Sequence, residues 1–456
     1  MTAGDRNAIM ALSEFEALKA EVQALLARRE WTALRVRLAE VPAAELTDLL
    51  FAFSKPDRVL LFRALPRPLA ADVFSYLATD EQNTLLTELT DEETRHLLAN
   101  MRPDDRTHLL EELPGQATQK LLNLLRSADL TEARGLLGYP EESVGRLMTP
   151  DYVAVRPEWT VAQALEHIRR KARRSETINT IYVTDDRWHL QDSIEVRRFI
   201  LAEPEQRVAE IMDYTYICAS AFDDREEAVR LMQRYDLTAL PVVSDGMLLG
   251  IVTIDDVLDV AQQEATEDFH KTAAIAPVRS YREADIWTLY RRRIVWLVVL
   301  VIVNLISAAV IAAYEEVMAA SIALAFFIPL LIGSGGNTGA QSATLMVRAL
   351  AVGDVQLTHW LRALGKELGV GITLGVTMGA VSYVLGFFFG APKVGLVVGL
   401  SMVAIVLFAN LIGILLPFVL TRLRIDPAVA SSPLITTIVD ASGLIIYFSI
   451  AAAILR

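Results

Sequence analysis

Cysteine is almost absent from this chain: Cys218 is the single one in 456 residues. No disulfide can form within one chain, which excludes a stapled secreted scaffold and points to a reducing setting. The N-terminus, MTAGDRNAIMALSEFEALKAE, lacks a basic stretch followed by an unbroken apolar core. No cleaved signal peptide is expected, and the N-terminal part is placed in the cytoplasm. A P-loop and a nucleophile–base constellation are also missing, so an enzyme is not expected. The histidines (His96, His108, His167, His189, His270, His359) show no metal-ligand spacing. Basic charge is in deficit, with 43 Lys and Arg against 56 Asp and Glu, which excludes a nucleic-acid binder with a basic body.

What is present falls into two unlike parts. Hydrophobic residues make up 53% of the chain although 22% of residues are charged, and mean hydropathy is +0.35. Residues 291–456 hold only six acids and ten bases, a net of +4, leaving 50 acids and 33 bases, a net of −17, in residues 1–290. An acidic aqueous region followed by an integral membrane region explains this division. Five nearly charge-free stretches, 294–314, 317–347, 368–392, 394–421 and 427–455, each reach the roughly 20 residues that cross a bilayer. Arg291 to Arg293, then Arg348, Arg362 and Lys366, then Arg422 and Arg424 all fall on one side of these spans. The other side has Lys393 and Arg456. The bias predicts a cytoplasmic N-terminus and an extracytoplasmic C-terminus.

Residues 53–125 repeat with a period of twelve, marked by Leu65, Leu77, Leu89, Met101, Leu113 and Leu125. An apolar pair precedes most markers, and Pro or acidic residues follow, as in LPRP, LTDEE and MRPDD. Those are helix-start signals. Each unit is one short helix that cannot bury its apolar face alone, so stacking into a small α-solenoid is expected, with an ordinary helical bundle as the competing reading. From Leu147 short β-rich runs alternate with helical ones: 152–155, 181–186, 216–220, 240–243 and 248–258. The order runs twice, from Leu147-Met148-Thr149 and from Glu210-Ile211-Met212, and resembles a tandem pair of CBS domains. In such modules a Thr/Ser-x-x-Asp binds a nucleotide ribose, and Thr253 with Asp256 fits. The first copy has Glu195 and Arg198 at those places, so one nucleotide site per chain is expected.

The second span contains Gly333-Ser334-Gly335-Gly336-Asn337-Thr338-Gly339, and the fifth contains Thr437-Ile438-Val439-Asp440-Ala441-Ser442-Gly443. Together with a solenoid, a CBS pair and five spans, these motifs closely resemble the MgtE family of magnesium channels and transporters over essentially the whole chain. The expected architecture is multidomain: an N-terminal α-helical superhelical domain (1–140), α/β CBS domains (141–206 and 207–269), a connecting plug helix (270–292, centred on 279–290) and a five-helix transmembrane pore domain (293–456). The resemblance implies a homodimer in the cell inner membrane, surrounded by lipid, with a pore on its twofold axis. It implies Mg2+ uptake, with Co2+ and Mn2+ as further candidate ions, closure at high cytoplasmic Mg2+, and ATP as a regulator. A Na+- or H+-coupled exchanger is the alternative.

Asp440 is the only charge in the last span. An ionised side chain at the bilayer centre costs about 2.5–3.5 kcal/mol, so it is expected to face a cavity, opposite its twofold mate. Mg2+ prefers octahedral oxygen shells and gives up water reluctantly, which suits a ring of oxygens around a hydrated ion. The glycine run is expected to break the second helix and line the pathway with backbone carbonyls and Asn337; close helix packing is the competing reading. Asp426 matches an acid of the family's pore region and also fits a helix cap before Pro427. Ser432 stands where family members often carry Asn, which is expected to alter contact with the ion's water shell. The resemblance further implies Mg2+-sensing acids: Asp104 on the solenoid, Glu226 and Asp236 on the second CBS copy, then Asp255, Asp256, Asp259, Glu264, Glu267 and Asp268. A solvated acidic surface is the competing reading for each. His108 stands where relatives carry a further acid.

Overall fold

The twelve-residue period becomes seven helices that begin at Lys55, Arg67, Thr79, Asp91, Pro103, Gly115 and Ser127. The computed structural model describes the backbone of residues 3–455 except 114, 279, 280, 282, 283, 352, 356–358 and 390, and side chains from Glu14 onward. Proline at the first helical positions starts Lys55–Ala64, Arg67–Ser75 and Pro103–Glu112, where a missing N–H costs nothing. Thr90 and Glu93 form a capping box before Asp91–Leu98. Alternate helices pack on one another, Arg67–Ser75 on Asp91–Leu98, Asp91–Leu98 on Gly115–Leu124 and Pro103–Glu112 on Ser127–Leu136, and the markers Leu65, Leu77, Met101 and Leu113 are buried in the shared core. The helices thus stack as a superhelix.

Two three-stranded sheets follow. β1 (Ala154–Val155) runs parallel to β2 (Thr180–Thr184), which pairs antiparallel with β3 (Leu190–Glu195). β4 (Ala219–Ser220), β5 (Ala239–Ser244) and β6 (Met247–Thr253) repeat that order. The helices Val161–Lys171 and Arg225–Tyr235 supply the parallel crossovers. The two copies join through reciprocal bonds between Thr149 and Ile251. Gly250 makes this approach available, since a Cβ there would lie 2.7 Å from the Thr149 carbonyl oxygen. The run 248–258 is β only as far as Thr253; a helix, Ile254–Thr272, begins at the next residue.

The chain divides into two compact units, Met1–Ala261 and Gln262–Arg456. Among its described residues the second contains five helices long and apolar enough to cross a membrane: Ile286–Ala313, Ala323–Ala351, Trp360–Phe389, Pro392–Arg422 and Ser432–Leu455. The connecting helix expected around 279–290 falls partly on residues 279, 280, 282 and 283, outside the described ones. From Ile286 the backbone is already helical and continues into the first span. The second span corrects an expectation. It is one unbroken helix through the glycine run. The glycines give the helix a surface without side chains: a Cβ on Gly335 would stand 2.5 Å from Ile405, and one on Gly339 2.9 Å from Ile435. Small residues let the spans approach closely, as in membrane helix packing generally.

Candidate functional site

Within the second unit, the span that carries Asn337 and the span that carries Asp440 pack against each other along the glycine run. A Cβ on Gly335 would lie 3.0 Å from Val439, the residue before Asp440, and one on Gly336, the residue before Asn337, 3.2 Å from Thr436. Asp440 is partly exposed and makes no ion pair among the described residues. Along the second span Gly333, Asn337, Gln341 and Thr344 are exposed on one helix face, as spacings of three and four require. Asn337, Ala340, Gln341, Thr344 and Leu345 line an open groove of about 540 Å³. Gln341 and Thr344 were outside the sequence-based candidates; the spacing from Asn337 is the signal that finds them.

Asp426 precedes the short helical turn Pro427–Val429 and accepts the Ala428 backbone N–H at 2.8 Å. It also takes the Lys271 ammonium at 2.6 Å, and Lys271 bonds Glu267 at 2.7 Å. Burial alone would lower the Lys271 pKa, but the hydrogen bonds to these two acids carry it well above the ordinary lysine range. Burial and the nearby charge of Asp426 raise the Asp268 carboxyl, with Glu264 and Glu267 adding to the effect.

A second group of acids gathers in the first unit. Asp104, on Pro103–Glu112, is buried, and its Oδ1 has no hydrogen-bond partner. Burial pushes its carboxyl well above the usual range, helped by the negative charges of Asp256, Asp105 and Glu176. Asp256, in the first turn of Ile254–Thr272, is pushed up to about 7 by burial and by Asp255. Arg102 pairs with Glu176 and lies 4.0 Å from Asp255. A buried carboxylate oxygen without a donor, ringed by further carboxylates, is the donor set a hard divalent cation takes. Asp105, which with Asp104 matches the family's acids on the solenoid, and Glu176, which the sequence-based set omitted, complete this group. Glu176 lies in a loop with no periodic signal. Glu226 and Asp236 lie exposed at opposite ends of Arg225–Tyr235, and Asp259 is exposed. Among the described residues no three acids, histidines or cysteines close into a complete metal cage.

At the end of β6 the Thr253 hydroxyl donates to Asp256 Oδ2 at 2.9 Å and also bonds Asp255. A hydroxyl beside a carboxylate suits the two hydroxyls of a ribose. In the first copy Arg198 is paired with Asp213 at 2.7 Å, and Asp192 is fully buried, accepting the Asp213 and Tyr214 backbone N–H groups. Those side chains are occupied within the chain.

Helical repeat, paired α/β modules and five spans define a multi-pass membrane protein with a large aqueous portion. The divalent cation transporter model MgtE matches residues 328–450, the MgtE intracellular N domain model matches 41–142, and the CBS domain model matches 144–202 and 208–262. The chain is 41% identical over 446 residues to the magnesium transporter MgtE of Thermus thermophilus, covering 97% of this chain and 99% of the relative. It is 33% identical over 414 residues to magnesium transporter MgtE of Bacillus subtilis, covering 88% and 92%. The solved cytosolic domain of the Mg2+ channel MgtE in complex with ATP is similar at 38% identity and a TM-score of 0.51, over 53% of this chain and 99% of that one. The soluble part of a magnesium transporter is similar at 30% identity and a TM-score of 0.53, over 55% and 99%. The chain belongs to the MgtE family.

Proposed function

We propose that this chain carries Mg2+ across the cytoplasmic membrane as a channel gated by cytoplasmic Mg2+. The observation that carries the reading is Asp440, a partly exposed carboxylate in the fifth span with no ion pair among the described residues, on a helix packed against the one that carries Asn337. Two copies about a twofold axis would bring two such carboxylates together. Without a cation they repel; a divalent ion removes the conflict. Asn337, Gln341 and Thr344 offer neutral oxygens along the same path, which suits an ion that keeps its water.

The sensor is the buried group around Asp104 and Asp256, together with Glu264, Glu267, Asp268 and Asp426 farther along the chain. When cytoplasmic Mg2+ is high the acids are bridged and the pore closes. When it falls, like charges separate the helical repeat from the CBS pair and the pore opens. A few kcal/mol of bias are enough to move such a two-state element. The helix Ile254–Thr272 carries Asp256 near one end and Lys271 near the other, a direct covalent link between sensor and membrane unit. ATP is assigned a regulatory role, its ribose held by Thr253 and Asp256, so nucleotide and Mg2+ meet at Asp256. The N-terminus is assigned to the cytoplasm and the C-terminus outside.

The test is Mg2+ flux into liposomes under an imposed potential, for the native chain and for Asp440→Ala. Potential-driven native flux that the variant loses, with dimerisation kept, is the expected result. Wild-type flux in the variant would remove Asp440 from the pathway. Flux that needs an opposing Na+ or H+ gradient would make the protein an exchanger.

A further inference from the structure

The fourth span carries an asparagine in its interior, Asn410, which is only 2% exposed. A primary amide in an apolar medium costs several kcal/mol unless its donors and acceptor are satisfied (roughly 2–7 by reference state). Asn410 is satisfied from two other spans. Its Nδ2 donates to the Glu367 backbone carbonyl at 2.7 Å and to Glu367 Oε2 at 3.2 Å on the third span. Its Oδ1 accepts a short bond from the Ser342 hydroxyl on the second span. Glycines make room for both approaches. A Cβ on Gly371 would lie 3.0 Å from Asn410 Nδ2, and one on Gly413 would lie 2.9 Å from Ser342 Cβ.

The second span buries apolar side chains at its two ends, Leu324, Phe327 and Leu331 before the glycine run and Met346 and Val347 after it. Between them Gly335, Gly336 and Gly339 offer only backbone to the facing spans, and Ser342 supplies the directional contact beside that stretch. Ser342 stands about 140° around the helix from Asn337 and about 160° from Thr344, at roughly 100° per residue. It therefore holds the back of the helix while the polar stripe faces the groove. A rotation by one residue would break the Ser342 bond, strand the Asn410 carbonyl and turn Asn337 and Thr344 out of the groove.

We propose that Asn410 is a positioning residue for the ion pathway: through Ser342 on one side and Glu367 on the other, it fixes the rotation of the second span so that Asn337, Gln341 and Thr344 face the groove. This rests on the pathway reading above, and the experiment separates the two. Potential-driven Mg2+ flux is first required of the native chain; its absence counts against the pathway reading itself. Given native flux, Ser342→Ala is expected to raise the half-saturating Mg2+ concentration about fivefold, the equilibrium factor of one hydrogen bond, and to lower the preference for Mg2+ over Ca2+. Asn410→Leu combined with Ser342→Ala is expected to be no worse than Asn410→Leu alone. Glu367→Gln, which keeps an acceptor oxygen, is expected to retain the native half-saturation. A readout independent of flux is alkylation of Thr344→Cys in a Cys218→Ser background by a water-soluble thiol reagent. Adding Ser342→Ala is expected to slow that labelling severalfold. Native half-saturation together with native labelling in Ser342→Ala would overturn the proposal. So would effects of Ser342→Ala and Asn410→Leu that multiply independently, or loss of flux in Glu367→Gln, which would show the charge and not the hydrogen bond to be what acts.

Discussion

Gly413 lies where a side chain has no room. A Cβ there would stand 2.5 Å from the Gly339 carbonyl oxygen, and a backbone atom of a packed helix cannot turn aside. Replacing Gly by Ala in a helix ordinarily gains about 1 kcal/mol, but overpacking a closed contact costs about 1–3 kcal/mol. Gly413→Ala is therefore expected to lower the melting temperature of the detergent-solubilised protein. Gly333→Ala, with nothing within 4 Å of its Cβ, is expected to leave it unchanged or raise it. A higher melting temperature for Gly413→Ala would mean that the second and fourth spans can separate at no cost. The same distinction explains why the sequence misled at the glycine run. Glycine is a signal of backbone freedom when neighbours are unknown, and only the facing side chains Ile405, Ile435 and Thr436 reveal that here it serves close contact.

At the level of elements, the helical repeat is held by more than its leucines. Arg58 makes a two-pronged bond to Glu88, at 2.8 and 3.3 Å, thirty residues along. The Glu88 side chain is 1% exposed and that of Arg58 11%. Removing one partner of a buried pair leaves the other charge stranded, at about 3–5 kcal/mol, whereas replacing both by apolar residues is often close to neutral. Arg58→Ala is expected to lower the thermal transition of the helical unit strongly, and Arg58→Leu with Glu88→Leu much less, by circular dichroism of the full chain. Equal losses would show that the stranded Glu88 charge carries no cost of its own. This pair escaped sequence reading because a separation of thirty falls between repeats. The repeats themselves were legible, since one marker every twelve residues sets both helix length and the buried face. β3 was harder to see, because its centre reads Gln191-Asp192-Ser193 and Asp192 is buried as a hydrogen-bond acceptor. The third span begins at Trp360, eight residues before its charge-free stretch, because Arg362, Lys366 and Glu367 are tolerated in its first turns. Of the proposed pathway, Asn337 and Asp440 stand out in the sequence as polar residues in apolar runs; Gln341 and Thr344 needed the exposed face.

For the molecule as a whole, the proposed sensing follows from where protons and divalent cations compete. Asp104 and Asp256 face Asp105, Glu176 and Asp255, with Arg102 as the nearby base. Burial and these acids raise both carboxyls, Asp256 from 3.8 to about 7. The packed arrangement then binds more protons than the separated one between those two values, so packing of the helical repeat against the CBS pair weakens as pH rises through that window. A divalent cation takes the deprotonated carboxylates and reverses the penalty, releasing protons as it binds. Limited proteolysis of the full chain in detergent reads this directly. Without divalent cations, cleavage of the aqueous unit is expected to be faster at pH 8 than at pH 6. Added Mg2+ should protect at pH 8 and much less at pH 6, where protons already hold the carboxyls. Asp104→Asn, neutral at every pH, should flatten the pH dependence and remove much of the Mg2+ protection. Cleavage independent of pH, or full Mg2+ protection of Asp104→Asn, would mean that closure is driven elsewhere, and the acids around Lys271 and Asp426 would then have to supply the bias alone.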